Sequence, residues 1–276
     1  VSSADAKFFR GAARAVGGAI IFALPMLMTL EMWELGSQVT PARMVVLLLA
    51  TVPMLVFLSA YSGFETTVRI FHDILDAFVA VALAAVAAAI TLAAVAVLTV
   101  DSSFHDWVGK IALQIVPGSV GALLAQSQFG ATRDADAPSR DDTRRGSRTH
   151  YAAELGIMAV GALFLGLNVA PTEEIQIIAS RGSDLHIAAL VLFSVVLMHA
   201  FVFALEFRGH HAGAASAWSA FVRFSLPGYM VALALSAFML WIFGRFDGQS
   251  PYHALQLSVT LAFPSAVGAA AARLIL

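Results

Sequence analysis

Eight stretches of this chain are apolar over the length a helix needs to cross a bilayer, about 20 residues. They run approximately Ala15–Glu34, Met44–Phe64, Ala77–Leu98, Ile111–Ser127, Ala153–Thr172, Ile187–Leu205, Phe224–Gly244 and Ala254–Ala272. A chain built this way has little choice of fold. It is expected to be all-α, a polytopic transmembrane bundle of about eight helices. The composition agrees: 59% of residues are hydrophobic and 12% charged, against roughly 25% charged in soluble domains. There is no cysteine, which excludes disulfides, thiolate metal sites and cysteine nucleophiles. Lys7, Arg10 and Arg14 before an apolar run could open a signal peptide. The run continues to Trp33 without a small-residue cleavage site, so it reads as a retained span.

The fourth stretch is the weakest, being interrupted by Pro117 and Gly118. Between the fourth and fifth, Arg133 to Arg148 is charged and empty of large apolar residues, the composition of a solvated linker. The expected division is a first transmembrane half over 1–129, a charged cytoplasmic linker over 130–149 and a second half over 150–276.

Lysine and arginine placement sets the orientation. With the N-terminus inside, twelve of the 16 basic residues fall on the cytoplasmic side. Arg43, Lys110, Arg181 and Arg245 fall on the other. Both termini are therefore expected to be cytoplasmic, with most arginines serving topology. The outer side also holds Glu31, Glu34, Asp101, Asp106, Glu173, Glu174, Asp184 and Asp247. An acidic mouth of this kind concentrates cations without selecting among them.

The halves show faint similarity. Phe22 matches Phe164 and Glu31 matches Glu173 at one offset, and Pro117-Gly-Ser-Val-Gly-Ala122 matches Pro264-Ser-Ala-Val-Gly-Ala269 at another. Phe104-His105 resembles Tyr252-His253, one residue out of step. Four crossings per half would give both repeats the same orientation, and parallel repeats in transporters place a site at their interface. The plainer alternative is two similar half-bundles without a pathway. The alanine-rich stretch Ala77–Leu98 suits close helix packing, at the centre of the bundle or at a homodimer seam. Trp33, Trp107, Trp218 and Trp241 fall near span ends, as interfacial anchors do.

Two polar groups could carry chemistry. The outer one comprises Glu31, Glu34, Glu173, Glu174, His105, Asp106 and His253. Carboxylates beside imidazoles suit a proton or a divalent cation, and Pro25 and Pro171 precede the acids, each able to free a backbone carbonyl. The plainer reading leaves these acids among lipid headgroups, reaching to water. The inner group is Glu65, His72, Asp73, Asp76, Glu206, His210 and His211. His72 and Asp76 share a face if the third helix begins that early. With His210 and His211 they form the alternative, a divalent metal site; otherwise the group is a solvated rim paired with Arg69. His199, deep in the sixth stretch, is a relay or an interhelical hydrogen-bonding residue. Motifs for phosphate loops, zinc helices, nucleophile elbows and potassium filters are absent.

Met28-Thr-Leu-Glu-Met-Trp-Glu-Leu-Gly36, with Tyr61-Ser-Gly-Phe-Glu65 and the eight-span length, resembles a family of uncharacterised bacterial integral membrane proteins. The resemblance implies a bacterial inner membrane and a compact helical bundle, and brings no activity. The leading expectation is a channel or transporter for protons or small inorganic cations, not an enzyme and without a cofactor. Glu31 and Glu173 would form its outer site, His199 the relay, and Asp76 and Glu206 the inner exit. The alternatives are a metal-dependent intramembrane enzyme acting on a lipid-like substrate and an accessory subunit of a membrane complex. Expected partners are the lipid bilayer, the cation and a second copy of the chain; nucleic acid is not among them.

Overall fold

The computed structural model describes residues 3–62, 70–130, 147–209 and 217–275. Residues 131–146 of the charged linker, Glu65, Arg69, His210 and His211 lie outside the described residues, and the linker's ends at 130 and 147–149 are helical. Among those described there is no strand. Seven helices are long and apolar enough to cross a membrane, or eight if one bent pair counts as a single span. The chain divides into two compact units, Val1–Gly146 and Ser147–Leu276.

The first unit contains α1 (Ser3–Leu27), α2 (Leu30–Gln38), α3 (Pro41–Ser62), α4 (Ile70–Ala94) and α5 (Phe104–Gly130). The first span does not run on to Glu34 as hydropathy suggests. It stops at Leu27, and α2 leaves at 90°. Pro25 is not the cause, for it lies inside α1. The turn is closed by side chains: Thr29 Oγ1 and Gln114 Nε2 both donate to the Met26 carbonyl at 3.2 Å, and Trp33 Nε1 donates to Leu27 O at 2.9 Å. These are carbonyls that a terminating helix leaves without partners. Pro117 likewise does not interrupt α5, which continues through it.

Helix α5 is the axis of this unit and packs against α1, α2, α3 and α4. Gly18 of α1 and Gly121 of α5 meet so closely that a Cβ on either would overlap the other's carbonyl oxygen. Without a hydrophobic drive inside lipid, such close backbone approach is what holds helices together. Helix α4 turns its small face inward, burying Ala77, Ala80, Ala84, Ala87, Ala88 and Leu92. Its Phe71, Phe78, Val86 and Ile90 face outward.

The second unit contains α6 (Ser147–Val169), α7 (Glu174–Arg181), α8 (Asp184–Gly209), α9 (Ala217–Ala220), α10 (Leu226–Ile242) and α11 (Pro251–Ile275). A π-helical turn, Phe221–Ser225, joins α9 to α10. The element plan parallels that of the first unit, down to single bonds. Thr172 Oγ1 donates to Val169 O after α6 as Thr29 does to Met26 O after α1. Ser194 bonds Leu190 O in α8 as Thr51 bonds Leu47 O in α3. Gly161 and Gly268 make the close crossing of α6 on α11. Helices α4 and α10 end alike: Val97 N–H reaches Leu92 O and Arg245 N–H reaches Leu240 O, around left-handed residues Ala96 and Gly244. This is the six-to-one closure of a Schellman cap.

Candidate functional site

The polar groups of each unit are set by its helix ends. At the first break, Glu31 lies half-buried in the first turn of α2, and Glu34 is exposed one turn on. An acid in a first turn is favoured by the helix dipole. The C-terminal end of α2 meets the start of α5, where His105 Nε2 lies 3.3 Å from Ser37 O. Asp106 accepts from Ser103 Oγ at 2.8 Å. Deeper in, Gln114 is 1% exposed, and its Oε1 has no partner while its Nε2 holds the Met26 carbonyl.

At the second break, Glu173 stands just before α7 and Glu174 opens it, both exposed. The shared hydrogen bonds of Thr29 and Thr172 put Glu31 in register with Glu174, one residue from the match read in the sequence. Arg245 tethers this break by donating from Nη2 to Pro171 O. Burial presses its guanidinium below the ordinary arginine range, and the Glu173 carboxylate opposes that shift. His253 does not correspond to His105. The matching serine contacts, Ser103 Oγ to Asp106 N and Ser250 Oγ to His253 N, align it with Asp106. Its Nδ1 lies 3.2 Å from Gln256 Oε1. Gln256 Nε2 in turn donates to the Tyr252 hydroxyl, which donates to Asp184.

At the opposite end of the first unit α4 begins at Ile70, early enough to carry both His72 and Asp76. His72 is exposed and edge-on to Phe71. Ser59 Oγ lies 3.4 Å from both Asp73 and Asp76, so these carboxylates converge on α3. Among the described residues no three His, Asp or Glu side chains gather as metal ligands. Glu206 lies in the last turn of α8.

His199 on α8 is bonded across helices, its Nδ1 lying 2.9 Å from Ser225 Oγ at the end of the π-turn. Its ring meets Phe221 edge-on. Short π-helical segments occur mostly where function needs a displaced side chain. Three features here do not emerge from the sequence. Glu154 of α6 pairs with Arg273 of α11, and that guanidinium lies 4.2 Å above the Phe224 ring. Tyr229 is 4% exposed, and its hydroxyl has no partner among the described residues. Ser236 Oγ lies 3.0 Å from Ser265 Oγ across α10 and α11. A signal for the last two is present in the spacing, since Ser225, Tyr229, Ala232 and Ser236 fall on one helix face.

An apolar chain arranged as crossing helices, with polar groups confined to breaks and a few interhelical bonds, is an integral membrane protein. A family model described as "Putative integral membrane protein (DUF2391)" matches residues 11–276. The chain belongs to the DUF2391 family. No curated protein and no solved structure matches it. Family membership therefore fixes the multi-pass membrane class, and the DUF2391 description carries no substrate, so function rests on the chain's own geometry.

Proposed function

We propose that the protein moves protons or small inorganic cations across a bacterial inner membrane, with both termini cytoplasmic and its two units acting as parallel repeats. One observation carries the reading. Each unit's first long helix ends where acids follow, α1 at a 90° turn before Glu31 and α6 at Val169 before Glu173 and Glu174. Helix ends at corresponding places in two halves point to the site in transporter folds; here Thr29, Gln114, Trp33, Thr172 and Arg245 hold the end carbonyls, which leaves the acids as the cation ligands. The excess of acids on that side supplies local cation enrichment. The paired hydrogen bonds of the two units support the repeat. Half-burial sets Glu31 apart from a freely solvated acid, and Arg245 carries its charge near Glu173. His199 serves as relay, and Asp76, held with Asp73 at Ser59, and Glu206 are the inner exit residues of their respective units.

The test uses purified protein in liposomes loaded with a pH-sensitive dye and challenged with pH, sodium or potassium gradients. Glu31→Gln combined with Glu173→Gln is expected to abolish the wild-type flux. Because Glu174 holds the place of Glu31 in the second unit, the triple variant with Glu174→Gln should be at least as inactive. Wild-type flux in the triple variant would remove the acids from the mechanism.

A further inference from the structure

The two units share a plan but differ on one helix face. In α10 and the π-turn before it, that face carries Ser225, Tyr229, Ala232 and Ser236, all buried. The matched end caps of α4 and α10 place Ala77, Val81, Ala84 and Ala88 at the same positions in the first unit. One unit is thus apolar where the other bears three hydroxyls. A hydroxyl inside lipid-embedded protein is costly unless bonded, by about 1–3 kcal/mol, and buried polar groups are nearly always satisfied. Ser225 has His199, and Ser236 has Ser265 and the Ala232 carbonyl. Tyr229, 4% exposed, has no partner among the described residues. Its place is between the two bonded serines, one turn from Ser225 and two from Ser236. From Ser225 to Ser236 the face spans about 16 Å at 1.5 Å per residue, close to half of a hydrocarbon core of about 30 Å.

The gaps are one to two turns long, and beside them methionines fill the places that glycines leave open. Gly228 of α10 lies against Met158 and Met198, and Gly166 of α6 lies against Met239 and Ser265. Methionine is the side chain that most easily yields room. Water needs two to four polar partners to enter a buried site. The Tyr229 hydroxyl is one partner without a bond among the described residues, and Ser225 and Ser236 lie one and two turns from it on the same face. Beyond Ser265 the buried polar residues of α11 continue as Thr260, Ser258 and Gln256, and Gln256 is bonded to Tyr252 and through it to Asp184.

We propose that the second unit holds a hydrated proton path within its own bundle, running from His199 and Ser225 along Tyr229 and Ser236 to Ser265. It rests on the transport reading above, and it names the proton as the cation and one unit as its route. A proton arriving on one hydroxyl or water is matched by release of that group's own proton to the next, so only O–H bonds exchange and no oxidant or co-reactant is required. The first unit, with alanine and valine on the matching face, then carries no such path.

The chain has no cysteine, so single thiols report directly. Ser236→Cys and its apolar counterpart Ala88→Cys are reconstituted, exposed to silver ion and titrated for remaining thiol; Ser265→Cys replaces the first if it fails to fold. Ser236→Cys is expected to be blocked about tenfold faster or more, the gap set by water access as against rare opening. Equal blocking overturns the path. Tyr229→Phe provides the second arm. Removing an unpartnered hydroxyl should leave the melting temperature unchanged or raised while proton flux falls. Wild-type proton flux in Tyr229→Phe overturns the path as well. Sodium or potassium flux in wild type without proton flux overturns the proton assignment and leaves the transport reading in place.

Discussion

Ala96 is the non-glycine among the described residues with a positive φ, 59°, and it occupies the position where α10 uses Gly244 at 71°. Left-handed backbone costs an L-residue about 1–2 kcal/mol, and glycine escapes it. Ala96→Gly is therefore expected to stabilise the protein by about 1 kcal/mol, and Ala96→Val, β-branched, to destabilise it. Thermal unfolding in detergent measures both, and a lower melting temperature for the glycine variant would contradict the shared cap. The sequence hides this position, because an alanine in an apolar run carries no mark of its dihedral angle. Other residue-level features are half visible. His199 stands out as a lone imidazole in a span, but its partner Ser225 does not, since serine is an ordinary occupant of membrane helices. Arg273 reads as a topological charge, and only the fold brings Glu154 to it.

At the scale of elements, the glycine crossings decide how α1 meets α5 and how α6 meets α11. Gly121→Ala and Gly268→Ala each push a Cβ into a backbone carbonyl that has no rotamer to yield. The expected loss is about 1–3 kcal/mol apiece, as for overpacked cores. It is readable as a fall in melting temperature or in the yield of folded protein. Gly11→Ala is the control, because among the described residues nothing lies within 4 Å of its place, and it should be neutral or stabilising by up to about 1 kcal/mol through helix propensity. An equal effect of all three would mean that helix propensity, not packing, is being measured. Most helices are legible from hydropathy alone. The end of α1 is not, because Leu30, Met32 and Leu35 prolong the apolar run past the turn. What stops the helix is a set of side-chain bonds from Thr29, Trp33 and Gln114, one of them far along the chain. Pro117 misleads in the opposite sense. A proline inside a span removes one bond, and α5, packed by its neighbours, carries that loss without breaking.

For the whole molecule, the all-α membrane class follows from apolar length, which hydropathy displays directly. The likeness of the halves is faint in sequence because helix faces can keep their size while exchanging Ala, Val, Gly and Ser freely. The register slips by one residue at Glu31 for a related reason: Glu173 and Glu174, side by side, offer two equally good matches. The polar asymmetry of the units depends on both the register and the burial, and neither can be read along the chain. Under the transport proposal the protein lets a cation through, a proton handed between hydroxyls, water and His199. The direct measurement is acidification of dye-loaded liposomes containing the purified wild-type chain, under an imposed pH gradient with the membrane potential clamped by potassium and valinomycin. Acidification faster than in protein-free liposomes, scaling with the protein-to-lipid ratio, is the expected result. Rates equal to those of protein-free liposomes at every ratio would contradict it.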